Sequence, residues 1–420
     1  MKIKAISPQT RLIVLCWLVY TSSYLGKLSY TANISRIGDA FGVSYSEAGL
    51  VSTFFFFAYG IGQIVNGILC KKFNIKYTAA MALLICALMN VCVAITPSFT
   101  LIKYLWLING AFVSTLWPLV IRLLADTLDG KDIGRATVTM GTTVAVGTFI
   151  IYGVSALFSA FFTYRATFVF SAVALLLSAV SWLVGYDGLV GPLTSIRVKD
   201  CVSLKEEKEE KEMPVRTDRS VMLLIAVLAV FAVSVNFVKD GLTSWTPDIL
   251  EALYSTPPWL SILLTLLLPA VSVLGVTVAT WIHNKLRSFI LSCTVLFVTS
   301  SMLVGAVILL LGTGAVPVTV GCFAVISCLM AGINNVILSI MPLEMRGRLN
   351  SGRVSGILNG FCYLGSTVSA YGLGLVADGF GWKTVFYVFL AVCISVSVFG
   401  LIISISEKLS AKEKLLKEDT

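Results

Sequence analysis

The sequence predicts an all-α integral membrane protein, with twelve transmembrane helices in two pseudo-symmetric six-helix bundles. Three observations predict it. Of 420 residues, 57 % are hydrophobic and 13 % charged, about half the charged share of a soluble domain, and the mean hydropathy is +0.92. The apolar residues gather in runs near the ~20 residues that cross a bilayer as a helix. The second half of the chain also repeats landmarks of the first.

The apolar runs fall roughly at 12–32, 47–69, 77–96, 101–124, 136–160, 167–185, 221–245, 258–281, 289–311, 316–340, 351–377 and 384–405. The N-terminus, MKIKAISPQTR before the first run, is basic like a signal peptide. That run has no small-residue cleavage site and carries Lys27, so it is expected to stay as the first helix. Between the sixth and seventh runs, residues 186–220 contain SLKEEKEEKEMPVRTDR, polar and mixed in charge. This reads as a solvated linker, with room for a short helix. The domain expectation is therefore an N-terminal bundle over 1–185, a charged cytoplasmic linker over 186–220, a C-terminal bundle over 221–405 and a cytoplasmic tail over 406–420.

Charge placement sets the orientation. With both termini cytoplasmic, all but six of the 31 Lys and Arg lie on that side. Arg36, Lys103, Arg165 and Lys383 fall in the opposite loops, and Lys27 and Lys239 lie inside apolar runs. Such asymmetry is the positive-inside rule of a multi-pass cell-membrane protein. The net charge of +9 is thus spread over alternate loops facing a lipid bilayer, and no stripe for nucleic acid forms. The ten cysteines include no CxxC pair and lie mostly in apolar runs, where Cys acts as a small hydrophobe. No metal-ligand cluster, phosphate loop or nucleophile–base pair occurs. Neither an enzyme nor a cofactor is expected.

The repeat is visible at four landmarks. Gly134-Arg135 recurs as Gly347-Arg348, Tyr164-Arg165-x-x-Phe168 as Trp382-Lys383-x-x-Phe386, the basic loop at Lys71 as that at Lys285, and Lys27 as Lys239, all at nearly one separation. In parallel repeats of this kind the transport site lies at the interface of the halves, near the midplane. A charge inside a span costs a few kcal/mol or more, so it usually faces a cavity or a partner. Lys27 and Lys239 are therefore expected to face a common cavity and hold an anion; snorkelling to the interface is the competing reading for Lys27. Tyr20, Tyr24 and Lys27 share one helical face, as do Asn236 and Lys239. Neutralisation by Asp240 is the competing reading for Lys239, and Asp240 has three further open roles: pairing with Lys27, proton coupling, or facing the outer cavity. Arg122, Arg135, Arg346 and Arg348 read as orienting residues, with Glu344 and Asp126 as candidate partners. The lone His283 is expected in a basic loop without a chemical role.

At the level of motifs, KDGLTSWTPDIL (239–250), PLEMRGRLNSG (342–352), GILNGFCYLGS (356–366), NGAFVSTLWPLVIR (109–122) and AYGIGQIVNGILCKK (58–72) resemble the major facilitator superfamily. Within it they resemble the organophosphate:phosphate antiporter branch. The resemblance covers nearly the whole chain, although Cys70 stands where many members carry Asp. It implies the major facilitator fold and a site in which a basic residue of helix one and another of helix seven, usually arginines, grip phosphate. By local alignment Lys27 and Lys239 take those places, and Tyr20, Tyr24, Tyr59 and Tyr363 match the family's tyrosines. Two departures stand out: Val144 replaces a helix-five His and Gln63 a helix-two Lys of the glycerol-phosphate members. Lysine also replaces a bidentate fork with a point charge, which leaves room for a carboxylate or a zwitterion.

The function expected is secondary transport of a small organic anion, an organophosphate or similar, by alternating access. Asp240 is the one carboxylate deep in a run as bounded above, which favours anion exchange with inorganic phosphate as counter-substrate over proton coupling. Proton-coupled transport of another organic anion or zwitterion is the alternative. A transporter-like ligand sensor that does not transport is the rival from another class. The protein is expected to be a monomer.

Overall fold

The structure is a computed structural model that describes residues 7–69, 72–203, 219–345 and 351–418. Arg346, Arg348 and most of the 186–220 charge run's second half lie outside the described residues. Among the described residues, twelve helices are long and apolar enough to cross a membrane. They are α1 (Pro8–Phe41), α2 (Tyr45–Asn66), α3 (Ile75–Ile95), α4 (Phe99–Thr127), α5 (Asp132–Phe161), α6 (Tyr164–Gly191), α7 (Val221–Tyr254), α8 (Pro258–Leu286), α9 (Phe289–Leu310), α10 (Val316–Ile340), α11 (Val354–Phe380) and α12 (Trp382–Ser406). Each apolar run of the sequence is one of these helices.

Three boundaries differ from expectation. The helix of α6 continues to Ser203, well inside the expected linker. Tyr186 packs on Trp182 one turn earlier, with ring centroids 5.2 Å apart, and Asp187 pairs with Lys76 of α3 at 2.6 Å, so one local and one tertiary contact carry the helix past 185. The helix of α7 runs through Pro247 to Tyr254, because a spanning helix tolerates proline when neighbours re-satisfy the freed backbone groups. His283 lies in no loop: it is 4 % exposed, in the last turn of α8.

The chain divides into two compact units, one of residues 1–41 and 54–214, the other of 42–53 and 215–420. In the first, the fully buried rings of Tyr30, Trp106 and Phe168 interlock at 5.7 Å between centroids. In the second, Phe231 meets Phe297 at 5.7 Å, and Phe323 stacks on Phe386 at 5.5 Å. Trp245 is buried between Tyr45 and Trp382. Asp378 accepts from the backbone N–H of Tyr45 and Ser46, at 2.9 and 2.8 Å, capping the start of α2. Here the outward Leu84, Leu177, Val273 and Ile402 stay exposed, the surface a helix bundle presents to lipid.

Several spans are interrupted near their middles. α1 breaks at a 3-10 turn, Thr31–Asn33. α4 breaks between Val113 and Leu116, and α5 at Thr142. α10 ends in a π-helical turn, Val336–Ile340. Freed groups find partners. The Ser114 carbonyl accepts from Gln63 at 3.0 Å, and Thr142 Oγ1 from Trp17 Nε1 at 2.9 Å. Gln63 thus serves the packing of α2 on α4.

Candidate functional site

In the first unit, Lys27 lies in the last helical turn before the α1 break, where the helix dipole favours a cation. The backbone there is pinned. The Gly26 carbonyl accepts from Asn109 Nδ2 at 3.1 Å, Asn90 Nδ2 at 3.4 Å and Ser29 Oγ at 3.3 Å. Asn90 and Asn109 are fully buried, so α3 and α4 fix the height at which Lys27 leaves α1. A Cβ at Gly26 would stand 2.6 Å from Leu175 of α6, so glycine is what permits the close approach.

The Lys27 side chain is 8 % exposed as a residue, and aromatic faces surround its ammonium. Nζ is 4.2 Å from the Tyr59 ring centroid, 5.2 Å from Tyr24 and 5.9 Å from Phe55. Such cation–π contacts are worth about 0.5–2 kcal/mol each. Tyr59 stacks on Phe55. Tyr20 meets Tyr24 edge-on at 5.5 Å and Trp117 at 4.6 Å. The unit therefore gathers Tyr20, Tyr24, Lys27 and Tyr59, adding Phe55 and Trp117. Val144, on α5, is 44 % exposed.

In the second unit Lys239 projects from α7 beside its neighbour. Lys239 Nζ lies 3.3 Å from Asp240 Oδ1, with the side chains 28 % and 19 % exposed. Asp240 Oδ2 accepts from Ser366 Oγ at 2.5 Å and from Asn236 Nδ2 at 3.2 Å. Asn236 Nδ2 also reaches Ser366 Oγ at 3.3 Å, while Asn236 Oδ1 accepts from Asn334 Nδ2 at 2.7 Å. The Cys362 thiol donates to Asn334 Oδ1 at 3.4 Å. A chain of donors from α10 and α11 thus ends on a carboxylate of α7. The helices approach at backbone distance, since a Cβ at Gly365 would run into the Val233 carbonyl. Tyr363 is half-buried in the same turn of α11 as Ser366.

The asparagines Asn90, Asn109 and Asn334 went unread, although an amide inside an apolar run carries the same signal as the lysines. Asp248, 4 % exposed on α7, was missed because the run was closed at 245. Ser366 and Cys362 carry no signal, being ordinary in membrane helices. Glu344 pairs with His283, Nε2 to Oε1 at 3.1 Å, and this corrects the reading of that histidine as a bystander. Arg122 pairs with Asp126 at 3.4 Å as expected, and Arg135 with Asp132 at 3.6 Å.

Comparison with known proteins agrees with this architecture. The chain is 24 % identical over 401 residues to the glycerol-3-phosphate transporter of Bacillus subtilis (strain 168), covering 90 % of this chain and 88 % of that protein. Shorter stretches match at 27 % identity. One is 113 residues of the membrane sensor protein UhpC of Escherichia coli (strain K12), and another 114 residues of a probable hexose phosphate transport protein of Chlamydia pneumoniae. Each covers 27 % of this chain, and only 26 % and 25 % of those proteins, about a quarter of their length. Among solved structures, a bacterial homolog to the human lysosomal transporter Spinster superposes with TM-score 0.76 at 14 % identity, over 95 % of this chain and 98 % of that one. A D-xylose-proton symporter gives 0.70 at 12 %, over 94 % and 97 %. The sequence pattern of the Major Facilitator Superfamily matches residues 16–351. Twelve helices, a repeated half and this match together mean that the chain belongs to the Major Facilitator Superfamily.

Proposed function

We propose that the protein is a secondary transporter that carries a small organic anion, an organophosphate or a similar solute, across the cell membrane by alternating access. It works as an exchanger, with inorganic phosphate as counter-substrate, as a monomer with both termini cytoplasmic. Lys27 and Lys239 hold the anionic group, and Tyr20, Tyr24, Tyr59, Tyr363 and Asn236 line or position the site. The observation that carries this reading is the pair of lysines at equivalent places in the two repeats. Each sits inside a span, one among rings and the other among amides and a hydroxyl. Relatives named as glycerol-3-phosphate and hexose phosphate transporters support an anionic cargo. A cationic empty site is costly to enclose; a bound anion offsets that cost, so a carrier that reorients only when loaded performs exchange.

Counterflow in proteoliposomes tests it. Vesicles loaded with unlabelled phosphate or an organic anion should accumulate the labelled species, and Lys27→Ala and Lys239→Ala should each abolish this. Two other readings have specific support. Asp248 adds a buried carboxylate to α7 and favours proton coupling; uptake driven by a pH gradient without counter-anion would establish that instead. The likeness to a membrane sensor protein favours a ligand sensor. A sensor would be stabilised thermally by its ligand yet show no counterflow.

A further inference from the structure

Lys239 does not await a ligand as a bare cation. Asp240 Oδ1 lies 3.3 Å from its ammonium, and Asp240 Oδ2 accepts from Ser366 and Asn236. Asn236 is itself oriented by Asn334, and Asn334 by the Cys362 thiol. Among the described residues, the groups bonded to the carboxylate are two donors and a cation, the surroundings of an acceptor-only, ionised carboxylate. Its position is fixed by three helices, α7, α10 and α11. A carboxylate so held is a permanent part of the site's charge and does not swing away when a ligand arrives.

We infer that Asp240 sets the charge of the cargo, so that the carrier takes a singly charged organic anion, a carboxylate of the sugar-acid kind, in preference to the dianionic phosphate ester of the same carbon skeleton. The inference rests on the anion-carrier reading above. On that reading, in which both lysines hold the anion, Lys27 and Lys239 bring two positive charges and Asp240 one negative charge, leaving one to balance. A monoanion closes the site neutral. A dianion leaves a net negative charge beside a carboxylate held in place by three helices, and an uncompensated charge away from water is disfavoured. Asn236 and Asn334 leave the balance untouched, because amides carry no net charge.

The test uses purified full-length protein with two matched pairs, glycerate against glycerol 3-phosphate and gluconate against glucose 6-phosphate. Measurements are made at about pH 8, where a phosphate monoester carries close to two negative charges. Thermal shift gives apparent affinity and counterflow gives transport. The wild-type protein should prefer the carboxylate of at least one pair by roughly tenfold or more, since like-charge juxtaposition is heavily penalised. Asp240→Asn should move that ratio at least about tenfold toward the phosphate ester. Ser366→Ala, which removes a hydrogen bond and no charge, should weaken binding of both members of a pair and keep the ratio. A wild-type preference for phosphate esters, or a ratio that Asp240→Asn leaves unchanged, overturns the charge assignment while the anion carrier stands. Absence of both binding and counterflow for all four anions overturns the carrier reading and this one with it. Should Asp240→Asn fail to fold, Asp240→Glu serves in its place. It keeps the charge, so the ratio should hold, and a ratio that moved toward phosphate esters would refute the assignment.

Discussion

Replacing Lys239 by alanine removes one member of a pair whose charged atoms lie 3.3 Å apart. At an effective dielectric constant of about 20 the bare attraction at that distance is about 5 kcal/mol. Most of it offsets the desolvation of the two groups. Taking one partner from a buried pair costs about 3–5 kcal/mol. Here the side chains keep 28 % and 19 % exposure, and Asp240 would keep its bonds to Ser366 and Asn236, so the expected loss is about 1–2 kcal/mol. Adding Asp240→Asn to Lys239→Ala removes the stranded charge, and the double variant should be no less stable than Lys239→Ala alone. In a unit of this size about 1–2 kcal/mol corresponds to a fall of roughly 2–8 °C in unfolding midpoint. Tryptophan-fluorescence melting of the four proteins in detergent completes the double-mutant cycle. Strict additivity, with the double variant losing the sum of the two single losses, would refute the view that these side chains act as a pair.

Further outcomes follow from packing. Gly365→Ala drives a Cβ into the Val233 carbonyl and should cost about 1–3 kcal/mol as overpacking. Gly372→Ala, on the same helix with nothing within 4 Å, should leave the midpoint unchanged or raised by the ~0.5–1 kcal/mol that alanine gains over glycine in a helix; melting curves decide both. Asn109→Ala should cost about 1–3 kcal/mol through the lost bond to Gly26, and it should also weaken anion binding measured by thermal shift, because the same carbonyl sets the position of Lys27. His283→Ala should destabilise more than Glu344→Gln. The imidazole is buried and stacks on Phe289 at 4.9 Å, whereas the Glu344 side chain is 52 % exposed and a hydrogen bond to it contributes about 0.5–1.5 kcal/mol; equal losses on melting would contradict this.

The spans were legible because a bilayer imposes one length and one polarity on every crossing segment, and that constraint acts residue by residue. Lys27 and Lys239 were legible for the same reason, as charges where the rule demands apolar side chains. The boundaries at 185 and 245 were not. The helix of α6 is carried onward by Asp187 meeting Lys76, distant in sequence, and Pro247 looks like a stop until its neighbours are known. The carboxylate network stayed hidden for a different reason. Neutralisation of Lys239 by its neighbour Asp240 was legible as a competing reading, but the partners of the carboxylate's other oxygen were not. Ser366 approaches the pair because Gly365 lets α11 touch α7, and Asn334 comes from a third helix, α10. A tertiary contact of this kind leaves no periodic trace in any one segment.

The wide π-helical turn at Val336–Ile340 separates two side chains with separate duties. Asn334 faces the amide network just before it, and Glu344 reaches His283 just after it. A π turn accommodates a surplus residue in an otherwise regular helix, so the residues after it keep nearly the phase of an unbroken α-helix. Excising one residue within 336–340 would rewind the segment as α-helix and leave Asn334 and Glu344 facing nearly as they do now, whereas the same excision in a regular stretch of α10 would swing everything beyond it by about 100°.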